Sequence, residues 1–157
     1  MWIKRELQII MSNTQEANTN QPPSLLFVCT GNTSRSVMAE ALARRRFSDS
    51  VRVSSAGLRP QQAADAKNAI DTLKFEFDLD ASDHLPRDVR GLDLEAIDCV
   101  VAMDKSIAKQ LKALTKRDIV VWEIDDPWGD DLYHYKQCAL RIMQQVSRLP
   151  FTSQPAV

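Results

Sequence analysis

Cys29 and Arg35 stand six positions apart, with Ser36 directly after, in the segment Cys29-Thr30-Gly31-Asn32-Thr33-Ser34-Arg35-Ser36. An ionised thiol is a strong nucleophile near neutral pH. A loop ending at a helix N-terminus favours that ionised form, because backbone N–H groups and the positive end of the helix dipole converge on it. The same donors would hold a phosphate against the sulfur. The planar fork of Arg35 can grip two oxygens of such an anion at once. Phosphoryl transfer to sulfur is therefore the chemistry that these residue types at this spacing allow. Spacing alone is a weak signal: of the three cysteines only Cys29 shows it, Lys105 and Gln144 occupying the corresponding places after Cys99 and Cys138. The plain alternative is a buried structural cysteine.

Context strengthens the chemical reading. Leu25-Leu26-Phe27-Val28 is a short apolar run of strand formers, and Val37-Met38-Ala39-Glu40-Ala41-Leu42-Ala43-Arg44 carries a helical pattern. Beyond them strands are expected at 25–29, 51–55, 99–103 and 118–122, and helices at 36–47, 63–74, 106–114 and 131–149, with a short one near Asp93. Residues 75–90, which include Pro86, read as irregular. Alternation of this kind predicts an α/β fold of three layers, a parallel sheet with helices on both faces. Ligands on such sheets bind beyond the carboxyl ends of the strands, where Cys29 lies.

The chain has 157 residues, 44% hydrophobic and 26% charged, with a net charge of −1. One domain with a substantial core is expected. The charge balance speaks against a nucleic-acid partner. Three widely spaced cysteines suggest neither a disulfide framework nor a zinc cluster, and a reducing cytoplasm suits them. The apolar run within residues 1–11 is too short for a signal peptide or a membrane span. Residues 1–23, polar from 12 on and ending in Pro22-Pro23, read as a flexible leader, with Met11 an alternative start and a partner-binding helix over 2–10 the lesser option. The folded domain is expected over 24–150, followed by a tail at 151–157, and the protein is expected to be a monomer.

Taken together, these pieces resemble a low-molecular-weight protein tyrosine phosphatase, a family that includes bacterial arginine phosphatases and thioredoxin-coupled arsenate reductases. The resemblance runs over about residues 24–150 and rests on Cys29 to Ser36, Met38-Ala39-Glu40, Ser55-Ala56-Gly57, His84 with Arg87, Asp98 to Asp104, and Asp126-Pro127. It implies a four-stranded parallel sheet in the order 2-1-3-4. By position it implies that Cys29 is the nucleophile and forms a phosphocysteine. Arg35 would bind phosphate and stabilise the transition state. The loop Thr30, Gly31, Asn32, Thr33, Ser34, Arg35 and Ser36 would surround the anion, and the Ser36 hydroxyl would donate to the sulfur. Asn32 would hold a strained backbone conformation, supported by hydrogen bonds with Ser55 and His84. Asp126, directly before Pro127, would be the general acid, with Asp125 the neighbour most easily confused with it. Trp128 would line the entrance, with Thr33 beside it.

The implied activity is hydrolysis of phosphotyrosine in a protein or peptide, without metal or other cofactor. Thr33 and Asp126-Pro127-Trp128-Gly129 also resemble the arginine-phosphatase subgroup, and Asp125, Asp130 and Asp131 would suit a guanidinium at the mouth. Two departures stand out. Many family members have a second cysteine where this chain has Ser34, and a proline where it has Val37. Without a thiol beside it, an oxidised Cys29 is expected to pass beyond sulfenic acid to forms that thiols do not rescue. An arsenate reductase needs further relay cysteines. Cys99 in an expected core strand and Cys138 in the last helix fit that role poorly, as a non-catalytic phosphate-binding module fits the presence of both nucleophile and acid poorly.

Overall fold

The computed structural model describes residues 5–10 and 21–151. Four strands form one parallel sheet: β1 (Ser24–Cys29), β2 (Arg52–Gly57), β3 (Cys99–Ala102) and β4 (Val120–Val121), in the order β2-β1-β3-β4. Leu25, Leu26, Phe27 and Val28 are all 0% exposed. Successive strand residues point to opposite faces, so β1 must be covered on both. Four α-helices do this: α1 (Arg35–Phe47), α2 (Lys67–Phe77), α3 (Lys105–Leu111) and α4 (Leu132–Ser147). Helices α1, α2 and α4 pack on one another, whereas α3 packs on β3 and β4. Phe27 meets Trp122 with ring centroids 5.4 Å apart, which ties the central strand to the chain just past β4.

The expected elements are all present, with shifted boundaries. Residues 63–66 form a 3-10 turn, and the α-helix starts only at Lys67 and runs on to Phe77. It ends on Asp78 in the left-handed conformation, φ 54°. The last strand is two residues long rather than five. It lies at the sheet edge with β3 as its one partner, so the ladder ends where that strand does. Arg44 and Arg45 donate to the carbonyls of Val53 and Phe77 and so staple α1 to its neighbours.

Within the expected flexible leader, residues 5–10 are helical and Ile10, 5% exposed, belongs to the hydrophobic core. A further anchor lies at 21–23, where Pro22 and Pro23 accept hydrogen bonds from Arg52. The rest of the leader, with Met11, lies outside the described residues, as do residues 152–157 of the expected tail. Phe151 packs edge-on against Phe47 at 5.6 Å.

Glu6 is 8% exposed and faces Arg148 and the Trp122 indole. Burial pushes its carboxyl up from 4.5 to about 7, against the opposing pull of Arg148 and Trp122. Below 4.5 the folded and unfolded chains both hold this proton. Between 4.5 and about 7 only the folded chain does, so this group makes stability fall as pH rises across that window, and adds no slope above it. Thermal melts of Glu6→Gln should lose this part of the pH dependence and run roughly 2–4 °C above the parent at pH 8. Parallel melting curves for the two proteins from pH 4.5 to 8 would contradict this.

Candidate active site

Cys29 ends β1 and is 1% exposed. The chain then turns through Thr30 to Ser34 and enters α1 at Arg35. The surroundings of this turn dictate which way its peptide groups point. The carbonyls of Cys29, Thr30 and Gly31 accept from the backbone N–H groups of Leu58, Arg59 and Gln61, at 3.1, 2.8 and 3.0 Å. The carbonyl of Asn32 accepts from His84 Nε2 at 2.8 Å. With four successive carbonyls drawn outward, the N–H groups face the other way. Among the described residues none of the N–H groups from Thr30 to Ser36 donates to a protein acceptor. The hydroxyl of Ser34 does not cap α1 either. The result is a concave row of donors around the end of β1, reinforced by the helix dipole.

Asn32 holds the turn in shape. It is 0% exposed and sits at φ 55°, the left-handed region that asparagine tolerates better than most residues. Its Nδ2 donates to Ser36 Oγ at 2.8 Å and to Ser55 Oγ at 2.9 Å, and its Oδ1 accepts from Arg87 N at 3.0 Å. Ser36 Oγ lies 2.9 Å from Cys29 Sγ. That oxygen also accepts from Asn32, and when Cys29 is ionised the Ser36 hydroxyl is the one member of the pair that can donate. Gly57 closes the turn from behind. A Cβ there would come within 2.8 Å of Thr30 O and 2.9 Å of Asn32 N, so only glycine lets β2 approach the loop this closely.

Arg35 is 2% exposed and is gripped on one side. Its Nη1 donates to Asp104 Oδ2 at 2.7 Å and to the carbonyl of Ile124 at 3.0 Å. Its Nη2 lies 3.5 Å from Asp126 Oδ2. Its Nε is buried with no hydrogen-bond partner, a donor left over for an oxyanion. Asp104 follows β3 and also caps α3 through Ile107 N. Burial alone would raise its carboxyl, but hydrogen bonds from Arg35 and from Ile107 N outweigh this and hold it below the usual carboxylate value.

Asp126 Oδ1 accepts from Ser34 Oγ at 3.1 Å and from the backbone N–H of Trp128 at 3.1 Å. The side chain of Asp125 points wholly into solvent, near Arg141 at 4.0 Å. Of the two neighbouring carboxylates it is Asp126 that faces the loop. Trp128 is 48% exposed beside it. Thr33 Oγ1 donates to Gln61 Oε1 at 2.5 Å.

The structure thus brings Cys29, Asn32, Ser36, Ser55 and His84 into one hydrogen-bonded set, and Arg35, Ser34 and Asp126 into a second one on the same loop. Thr33 and Trp128 lie beside them, each tied to a member or a neighbour of the loop. Sequence reasoning missed Asp104, Gln61, Arg87 and the carbonyl of Ile124. Arg87 and Asp104 stand among the residues that carry the family resemblance, but no role was read for either, and Gln61 gave no signal. Among the described residues no His, Cys, Asp and Glu cluster could hold a metal ion, and no helix is long and apolar enough to cross a membrane.

A parallel α/β sheet with a cysteine-and-arginine anion loop at the end of its central strand defines a phosphatase-type class of cysteine enzyme. The sequence profile of low-molecular-weight phosphotyrosine protein phosphatases matches residues 24–153, and the chain belongs to that family. Among solved structures it is similar to a low-molecular-weight protein tyrosine phosphatase from T. tengcongensis, with 30% identity, 81% of this chain and 97% of that one covered, and a TM-score of 0.74. It is also similar to an arginine phosphatase from Geobacillus stearothermophilus, with 29% identity, 82% and 90% coverage, and a TM-score of 0.71. An arsenate reductase from Bacillus cereus is 34% identical over 115 residues, 69% of this chain and 79% of that protein. Names in the family therefore divide among three reactions.

Adding a methyl group at Gly57 should push the loop out of shape. Gly57→Ala is expected to cut kcat/KM for an aryl phosphate on the order of 100-fold, with competitive inhibition by inorganic phosphate weakened in step. A Gly57→Ala protein with unaltered phosphate inhibition would show that the close approach is not what shapes the loop.

Proposed function

We propose that this chain hydrolyses phosphorylated protein side chains through a phosphocysteine on Cys29, with phosphotyrosine as substrate. The observation that carries this reading is the row of unclaimed N–H donors from Thr30 to Ser36, in the turn that follows a sulfur 2.9 Å from the Ser36 hydroxyl. Donors so arranged suit the oxygens of a phosphoryl group, and Arg35 adds the unpaired Nε. The sulfur attacks phosphorus and forms the S–P bond as the bond to the phenol oxygen breaks. Asp126 gives its proton to that oxygen, which leaves neutral. Asp126 then takes a proton from water as the water oxygen attacks phosphorus, the S–P bond breaks, and inorganic phosphate departs. Trp128, half exposed and tied through its backbone N–H to Asp126, would offer a ring to the phenol. The reaction uses no metal or redox partner, and a reducing cytoplasm would keep Cys29 usable.

A second reading, phosphoarginine, is favoured by the carboxylates around the mouth. Asp125, Asp130 and Asp131 are all exposed, Asp131 being paired with His134. Together with Asp126 they would attract a guanidinium and do nothing for a neutral phenol. The same cleavage then breaks a phosphorus–nitrogen bond. Arsenate reduction finds less support. Burial raises the Cys99 thiol far above its ordinary value, and pushes Cys138 up to about 12. Neither supplies the ionised thiol that relay chemistry needs.

The reading is tested first with para-nitrophenyl phosphate. The parent should hydrolyse it, Cys29→Ser should not, and Asp126→Ala should lose roughly 10²–10⁴-fold with poor leaving groups. Hydrolysis by Cys29→Ser equal to the parent would remove the phosphocysteine. Phosphate release from matched phosphotyrosine and phosphoarginine peptides then ranks the two substrates. Turnover of arsenate with thioredoxin and its reductase should be absent.

A further inference from the structure

Ser34 flanks the N-terminus of α1, a place where serine ordinarily turns its hydroxyl onto a backbone N–H of the first turn. Here it makes no such bond. Its backbone lies at φ −134° and ψ −87°, and the residue is 5% exposed. The hydroxyl instead donates to Asp126 Oδ1 at 3.1 Å, across 92 residues of sequence. The Trp128 N–H donates to the same oxygen at 3.1 Å. The other oxygen, Oδ2, lies 3.5 Å from Arg35 Nη2. The two oxygens of one carboxyl therefore have different work. Oδ1 is engaged by two neutral donors, whereas Oδ2 faces the guanidinium that would hold the phosphoryl group.

Oδ1 accepts two hydrogen bonds and has no lone pair left for a proton, whereas Oδ2 makes an ion-pair approach but no hydrogen bond among the described residues. We propose that Ser34 is a positioning residue for proton transfer: it fixes Asp126 so that Oδ2 carries the proton to the leaving atom. The proposal rests on the phosphocysteine reading above. As the S–P bond forms and the bond from phosphorus to the leaving oxygen or nitrogen breaks, the Oδ2 proton passes to that atom. Asp126 becomes a carboxylate at that moment, and the Ser34 and Trp128 donors on Oδ1 stabilise its new charge. In the second step a water proton returns to Oδ2 while the water oxygen attacks phosphorus and sulfur departs. Donors that stabilise the carboxylate product help most where proton transfer is far advanced, which is the case for poor leaving groups.

The test compares kcat/KM for phenyl phosphate, a poor leaving group, with that for 2,4-dinitrophenyl phosphate, a good one. Ser34→Ala is expected to lose about tenfold more on the phenyl ester than on the dinitrophenyl ester, the effect of one hydrogen bond to a charged group. Ser34→Thr, which keeps the hydroxyl, should recover most of that difference. In an Asp126→Ala background, Ser34→Ala should change the ratio between the two esters no further, because the group it positions is gone. Equal losses on both esters, or an undiminished change of ratio without Asp126, overturn the proposal. A parent protein inert toward both esters overturns the phosphocysteine reading itself, a separate failure that takes the proposal with it.

Discussion

The side chain of Asn32 is the constraint on which the site depends. One amide group satisfies two serine hydroxyls and one backbone N–H, all away from solvent. Its own peptide sits in a conformation that few residues enter without cost. That conformation turns the Asn32 carbonyl toward His84 and helps to point the loop's N–H groups inward. The chain just beyond β2 supplies the rest of the clamp, since Leu58, Arg59 and Gln61 donate to the carbonyls of Cys29, Thr30 and Gly31. A flexible loop would have to order its donors each time an anion arrived. Here that ordering is already part of the fold, which is how fixed dipoles gain strength over water.

Charge is arranged with the same economy. A buried guanidinium is costly unless it is paired and hydrogen-bonded. Asp104 and the carbonyl of Ile124 satisfy one end of Arg35 and fix its plane, while Nε remains unpaired. The group is therefore stable enough to be buried and still able to bind. Ile124 and Asp126 belong to the same stretch after β4, so the carbonyl that holds the arginine and the acid that faces it come from one segment, whereas Asp104 comes from the end of β3. Phe27 and Trp122 tie that segment to the strand carrying the nucleophile.

The strand, loop and helix around Cys29 were legible because their chemistry is local: an apolar run, a glycine-bearing turn and a helical pattern follow one another directly. The alternation of elements pointed to a parallel sheet, but its order came from family likeness, since periodicity says nothing about which strands are neighbours. Gln61, Arg87 and Asp104 acquire roles only by approach in space, through one carbonyl, one amide or one guanidinium. Family likeness marks Arg87 and Asp104 as landmarks, but no spacing in sequence says what they touch. Family likeness chose Asp126 over Asp125 by its place before Pro127, and the physical difference, that the Asp125 side chain points into water, is seen only in coordinates. Composition misled at the N-terminus, where six residues are too few to show a period, yet Ile10 finds a place in the core.

That placement separates two boundaries usually taken as one. The family's homology begins at Ser24, but the hydrophobic interior of this chain recruits a side chain from fourteen positions earlier. Trimming the protein to its family domain would uncover apolar surface beside the last strand and strip Trp122 of the acidic neighbour that covers it. The inherited unit and the cooperatively packed unit are thus different stretches of polypeptide, and the larger of the two is the one on which the sheet rests.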